Sequence, residues 1–162
     1  KKKFDNVNIL IENFAVGDEK KVVKMKQMNE SSSSTINSYN VNSKYFKKKS
    51  LFLFSSKNQN FFSEIDVKQV SLSNYMIEKN INEIDFIKID TEGYEYYVLK
   101  GLQNKFKKIK LILFEHHYDN MLIKNYKFGD IHELLKRNNF NQLYKYKMPF
   151  RKTFEYVYVR RS

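Results

Sequence analysis

The chain contains no cysteine, which excludes disulfides and thiolate metal sites and fits a cytoplasmic protein. Glycine is scarce as well. The four are Gly17, Gly93, Gly101 and Gly129, and no two stand close enough to build a glycine-rich nucleotide loop. There is a single proline, Pro149. No run approaches the roughly 20 apolar residues needed to cross a bilayer. No secretory signal precedes the first strand candidate, because Lys1-Lys2-Lys3 leads into mixed polar sequence. No internal repeat is visible.

What is present is enough for one domain over residues 1–162. Hydrophobic residues make up 41% of 162, so the chain can bury a core and is not composed like a disordered one. Thirty basic residues against 18 acidic ones give a net charge of +12. Such an excess can mark nucleic-acid or anionic-membrane binding. Here the lysines are scattered, with short runs only at Lys1–Lys3 and Lys47–Lys49, amid Asn, Ile, Tyr and Phe. An AT-rich coding sequence produces that mixture, so a solvated surface is expected and no specific nucleic-acid partner. The aromatics fall mostly in strand-like apolar runs, which reads as core.

The chain is organised around Ile84 to Glu95. Phe86, Ile87 and Ile89 give β-branched and aromatic bulk over the length of a buried strand. Asp90 and Glu92 then place two carboxylates where the strand stops, and Gly93 lets the backbone turn. From Tyr94 to Leu102 the apolar spacing is helical, with Gly101 expected as a left-handed cap. Ligands of open α/β sheets bind outside the carboxyl ends of the strands, so Asp90 and Glu92 are the candidate acids. The alternative is that they cap a helix start, where carboxylates satisfy free N–H groups.

A second ionisable cluster, Glu115-His116-His117-Tyr118-Asp119, ends the apolar run Leu111–Phe114, which reads as a strand covered on both faces. If the sheet is parallel, this cluster shares a rim with Asp90 and Glu92. Side chains alternate along a strand, so His116 and His117 face opposite ways. The alternative is that one or both are merely hydrogen-bonded rim residues.

Val7–Ile11, Leu51–Phe54 and Ile65–Val70 read as strands, and Val22-Val23 as an extended segment. Asn13–Asp18, Ser31–Thr35 and Asn37–Ser50 read as loops. A helix follows a cap at Ser71 or Ser73. Lys105–Lys110 is a basic connector. Asp130 to Glu133 looks like a capping box opening a helix with Ile131, Leu134 and Leu135 inside. Gln142–Tyr146 and Phe154–Val159 form a closing hairpin. Strands alternating with helices indicate an α/β three-layer sheet.

Lys88-Ile89-Asp90-Thr91-Glu92-Gly93-Tyr94-Glu95, followed by Val98-Leu99-Lys100-Gly101, resembles the K-I-D-x-E-G-x-E and V/L-L-K-G signature of the FkbM-type methyltransferases. Asn13-Phe14-Ala15-Val16-Gly17-Asp18 matches an upstream N-x-A-V-G-D run of that family. The likeness continues through Phe114-Glu115-His116-His117. It implies a Rossmann-like class I methyltransferase sheet, S-adenosyl-L-methionine as cofactor, and methylation of a hydroxyl oxygen on a small molecule or sugar. It makes Asn13, Ala15, Val16 and Asp90 cofactor neighbours. Asp90 would lie nearest the methyl group and acceptor, with Glu92 as base or orienting partner. Glu115, His116 and His117 would line the acceptor side. A metal-assisted variant would use Asp90, His116 and Asp119, but their spacing is no recognised ligand pattern and no metal is expected. The family's usual Leu-Asp pair is Leu72-Ser73 here, which keeps a capping role.

A complete domain would carry a glycine-rich loop and a ribose-binding acid before the Asn13 region. Neither is present, so the chain reads as beginning after the first two strands. Weak stability or association at an exposed sheet edge is then expected. The readings from other classes are a non-catalytic basic binding module and an inactive methyltransferase fragment.

Overall fold

The computed structural model describes residues 9–28, 34–44, 46–48, 62–149 and 152–161. The expected strand at Leu51–Phe54, the first two residues of that at Val7–Ile11 and most of the serine run lie outside them. Ile9, Leu10 and Ile11 are exposed and form no strand, because no neighbouring strand pairs with them among the described residues. Three sheets are present among the described residues. One has the order β1-β5-β2-β3, from Ala15–Gly17 (β1), Lys21–Met28 (β2), Ser34–Thr35 (β3) and Phe62–Ser71 (β5). Another has the order β6-β7-β10-β9, from Ile84–Ile89 (β6), Ile109–His117 (β7), Phe140–Lys147 (β9) and Thr153–Arg160 (β10). Ser38–Tyr39 (β4) and Leu122–Ile123 (β8) pair as the third. Helices include Leu72–Glu78 (α1), Glu95–Lys100 (α2) and Phe128–Arg137 (α3), with a 3-10 turn at Gln103–Lys108 where a plain connector was expected. Helical residues at 44 and 46–48 fall where a loop was expected. The result is a mixed α/β fold.

The pairing of β6 with β7 positions the site. It is parallel, from Ile84 opposite Ile109 to Ile89 opposite Phe114. Asp90 and Glu115, each the next residue along its strand, therefore leave at the same rim, as the sequence suggested. β10 runs antiparallel to β7 and sets Thr153 opposite His117 at that rim. The β9–β10 hairpin forms as expected, with Pro149 in its turn.

β7 is covered on both faces at its carboxyl end, where Phe114, Glu115, His116 and His117 are all buried. Phe114 stacks on Tyr156 and Tyr158 at centroid distances of 5.5 and 5.7 Å. Leu99 and Leu102 after β6, Ile112 on β7 and Leu135 on α3 are fully buried in the same core. Burying each such side chain contributes about 1.5–3 kcal/mol. β6 does not match its expectation of a buried strand. Phe86 is 51% exposed, Asp85 and Lys88 are exposed, and only Ile89 is buried. The reason is position: among the described residues β6 is an edge of its sheet, hydrogen-bonded to β7 alone.

Local signals fare differently at three other points. Ser71 caps α1 as expected, accepting a hydrogen bond from the Asn74 amide at 3.3 Å. Asp130 does not open α3. It occupies the third helical position, and its carboxylate accepts from the Lys127 amide at 2.7 Å, so the helix begins a turn earlier. Gly101 is not a left-handed cap, since its φ is −65°. Its missing Cβ serves packing instead: a Cβ there would stand 2.0 Å from the Gly17 carbonyl oxygen. β1 and the end of α2 touch backbone to backbone.

Candidate active site

The turn after β6 is held in a conformation the chain avoids unless compelled. Glu92 has φ +49° and Gly93 φ +91°. A left-handed residue other than glycine costs about 1–2 kcal/mol, and such strain concentrates at functional sites. Here the surroundings over-determine it. Thr35 Oγ1 donates to the Glu92 carbonyl at 2.8 Å, and Asn37 Nδ2 donates to the Gly93 carbonyl at 2.5 Å. Tyr126 Oη stands 2.8 Å from the same Gly93 carbonyl and shares its single proton between that oxygen and Glu95. Each bond contributes about 1 kcal/mol net, so together they outweigh the strain.

Glu95 ties the turn from within. It is 1% exposed, and its Oε1 accepts from the Gly93 amide at 2.7 Å and from Thr91 Oγ1 at 3.2 Å. Its Oε2 accepts from Tyr126 Oη at 2.7 Å. The last acid of the motif is therefore a structural carboxylate. Burial, and then the Glu95 charge, push the Tyr126 phenol far up, so it remains a donor. Sequence reading assigned Glu95 no role, although a carboxylate two residues past the glycine of a turn is placed to accept its free amide. Thr35, Asn37 and Tyr126 carried no local signal, because they reach Gly93 or Glu92 across 33 or more residues.

The two candidate acids part company. Asp90 is exposed and pairs with Lys88 at 2.8 Å. Glu92 turns inward to His117, with Oε2 3.3 Å from Nε2. Glu115 Oε1 stands at the same 3.3 Å from that nitrogen. On the other side of the ring, Nδ1 lies 3.1 Å from Thr153 Oγ1 and 3.7 Å from Asp119 Oδ2. Although two carboxylates flank Nε2, neither meets it in a hydrogen-bonding direction, so this buried atom lacks a hydrogen bond within the protein. Burial pulls the His117 imidazole down. The Asp119 contact, then Glu92, Glu115 and Glu95, outweigh it and hold its pKa above 6.5. For Asp119, burial is outweighed by the nearby His117 ring and by the hydrogen bond from the Met121 amide, and its pKa falls.

His116 faces the other way, as strand alternation requires. Its ring lies 6.0 Å from Tyr126, 5.7 Å from Phe128 and 4.8 Å from Tyr118. Burial, then the charges of Lys124 and His117, push its pKa down to about 3, so it is neutral at pH 7. Lys124 donates to the His117 carbonyl, and burial lowers its own pKa against the pull of Glu95 and Asp119. The proposed metal ligands Asp90, His116 and Asp119 are thus not brought together. Among the described residues, no group of three or more His, Asp or Glu is arranged to hold a metal ion.

Asn13, Ala15 and Val16 stand apart from this cluster. Asn13 is exposed, and Ala15 and Val16 lie on β1 opposite Gln69 and Val70. The described link to the turn is a relay: the Gln69 carboxamide accepts from Tyr94 Oη at 3.1 Å.

The fold and this cluster define an α/β protein with a carboxylate–imidazole site at the carboxyl ends of two parallel strands. The family model for the methyltransferase FkbM domain matches residues 1–142, and the chain belongs to that family. No curated protein matches the chain. Among the described residues, no helix is long and apolar enough to cross a membrane.

Proposed function

We propose that this domain serves methyl transfer from S-adenosyl-L-methionine to a hydroxyl oxygen of a small molecule or sugar, with Glu92 as the base. The observation that carries this reading is the clamp on His117. Glu92 is the most accessible of the carboxylates around that ring, with a side chain 22% exposed against 12% for Glu115 and 6% for Asp119. A hydroxyl reaching the cluster meets Glu92 first. Its proton moves to the Glu92 carboxylate while the oxygen's electron pair becomes free to attack. His117 Nε2, with no hydrogen bond of its own, orients Glu92 and stabilises its charge. Thr153 and Asp119 fix the ring from behind. Glu115 and His116 complete the acceptor side, and Asp90 lies at the open rim, where donor and acceptor would meet.

The donor supplies an electrophilic methyl group when bound. The residues described form only part of a site for it. Ala15 pairs with Gln69, whose side chain accepts from Tyr94 Oη, Asn13 is exposed, and Asp90 lies exposed at the rim, paired with Lys88. No step is therefore routed through the donor. The parallel β6–β7 pair continued by an antiparallel hairpin supports reading the fold as the second half of a Rossmann-like methyltransferase sheet, as one partial domain over residues 1–162.

Transfer of labelled methyl from S-adenosyl-L-methionine to a panel of sugars and hydroxylated small molecules tests this reading. Glu92→Gln is expected to lower kcat by about 10²–10⁴, and Asp90→Asn to abolish transfer. Turnover retained in Glu92→Gln would remove Glu92 as base, and turnover retained in Asp90→Asn would remove Asp90 from the reacting centre. A folded chain with no measurable affinity for the donor would favour the inactive-fragment reading.

A further inference from the structure

Two adjoining cavities open beside the cluster. The inner one, about 440 Å³, is lined by His116, His117, Tyr126 and Phe128, with Lys124 and Lys127 at its polar side. The outer one, about 500 Å³, is lined by Lys44, Lys48 and Lys152 together with Asn40 and Ser43. Tyr118, Asp119 and Asn120 belong to both and form the wall between them.

The charges of this wall are one-sided. Five lysines line the two cavities, and the single carboxylate among the lining residues is Asp119. Asp119 faces His117 and also acts on Lys124, so one carboxylate stands against five lysines along this wall. The inner cavity also holds an unspent polar atom. His116 is 3% exposed, and its Nδ1 has no hydrogen-bond partner within the protein. A buried polar atom without a partner is costly to keep, and a ligand hydroxyl would relieve that cost. Because the ring is neutral at pH 7, it carries one donor and one acceptor nitrogen and suits a hydroxyl better than a charge. Tyr118 is 44% exposed and presents aromatic surface to both spaces, and sugar rings pack well on such faces.

We propose that the acceptor is an anionic sugar, one carrying a phosphate or a carboxylate. The anion rests on Lys44, Lys48 and Lys152 in the outer cavity, the ring packs on Tyr118, and one hydroxyl bonds His116 Nδ1 in the inner cavity. This deepens the proposed function and rests on it for the word acceptor. The binding itself does not depend on methyl transfer.

The test is therefore direct binding, measured by calorimetry on the chain without donor. The probes are glucose 6-phosphate, glucuronate and glucose at about 50 mM salt. The two charged sugars are expected to bind at least tenfold more tightly than glucose, and to lose most of that advantage at about 500 mM salt as charges are screened. The tighter of the two identifies phosphate or carboxylate. Lys44→Gln combined with Lys152→Gln should reduce the charged sugars to the level of glucose. These lysines are exposed, so folding is not at stake. His116→Phe should weaken all three sugars. Equal binding of glucose and the charged sugars, binding of none, or inorganic phosphate binding as tightly as glucose 6-phosphate would overturn the proposal. So would a single-stranded oligonucleotide that displaces the sugars at lower concentration than either. Methyl transfer to neutral hydroxyl compounds, with no affinity for charged sugars, would sink this inference and leave the proposed function standing. Tight binding of a charged sugar with no methylation of it would do the reverse.

Discussion

His116 and His117 are neighbours on one strand, and both are buried, at 3% and 6% exposure. One is held neutral and the other toward the charged form. On the His116 side lie Tyr118, Tyr126 and Phe128, with Lys124 near enough to repel a proton. On the His117 side lie Glu92, Glu115 and Asp119. Burial acts against charge on both rings, and only the second has enough opposite charge to overcome it. Burial therefore says little about protonation until the faces of the strand are told apart. The same division separates two proposed roles: an aromatic, hydroxyl-binding side and a proton-handling side.

Removing His117 breaks the comparison most severely. His117→Gln leaves Glu92, Glu115 and Asp119 around a neutral amide, and buried charges that lose their partner typically cost about 3–5 kcal/mol. The loss should depend on pH in a definite sense. The folded pKa of His117 is raised above 6.5, so its stabilisation is complete below the unfolded value and fades as pH rises through the folded one. Denaturant titrations of both proteins should then differ most near pH 6 and converge at alkaline pH. A constant difference would mean that the ring acts through packing and not through charge.

The opposite sign is expected of His116. Its folded pKa is lowered to about 3 from 6.5. Its contribution is complete above 6.5 and is lost as pH falls toward 3, because the unfolded chain takes up a proton that the folded one refuses. The slope is at most about 1.4 kcal/mol per pH unit. Between pH 6.5 and 4.5, wild-type stability should decline and His116→Phe should flatten that decline. An unchanged slope would show that His116 is protonated inside the fold, and would remove the neutral hydroxyl-binding wall with it.

Much of this arrangement was legible before folding, and the missing part has a physical cause. Chain-local features were readable: the Ser71 cap, the turn at Gly93, the closing hairpin, and the opposite facing of the histidines, which follows from strand geometry alone. The shared rim of Asp90 and Glu115 needed only the assumption of parallel strands. What failed was set by distant neighbours. Gly101 looked like a left-handed cap; it does end the helix, but at a φ of −65°, and it is the Gly17 carbonyl that demands the absent side chain. Phe86 looked buried because its strand is apolar, yet β6 is an edge. Glu95 was readable in principle, but its partner Tyr126 lies 31 residues on. Asp90 and Glu92 looked equivalent in sequence, and only the left-handed turn separates them.

That last separation yields the smallest predicted effect. The Lys88–Asp90 pair is short, at 2.8 Å, but its side chains are 51% and 44% exposed. Exposed pairs contribute about 0.2–1 kcal/mol, because water already solvates both ions and two flexible chains must be held still. Asp90 draws the Lys88 ammonium pKa upward through their hydrogen bond, yet that shift belongs to an open surface. Lys88→Ala should therefore move the thermal midpoint very little, far less than His117→Gln does. Its effect on transfer is the informative quantity. If Asp90 works at the rim, freeing it from Lys88 should alter KM or kcat by a few fold while stability stays put. If Lys88→Ala instead costs as much stability as His117→Gln, Asp90 is not an open rim acid, and the contrast between the two carboxylates of this turn collapses.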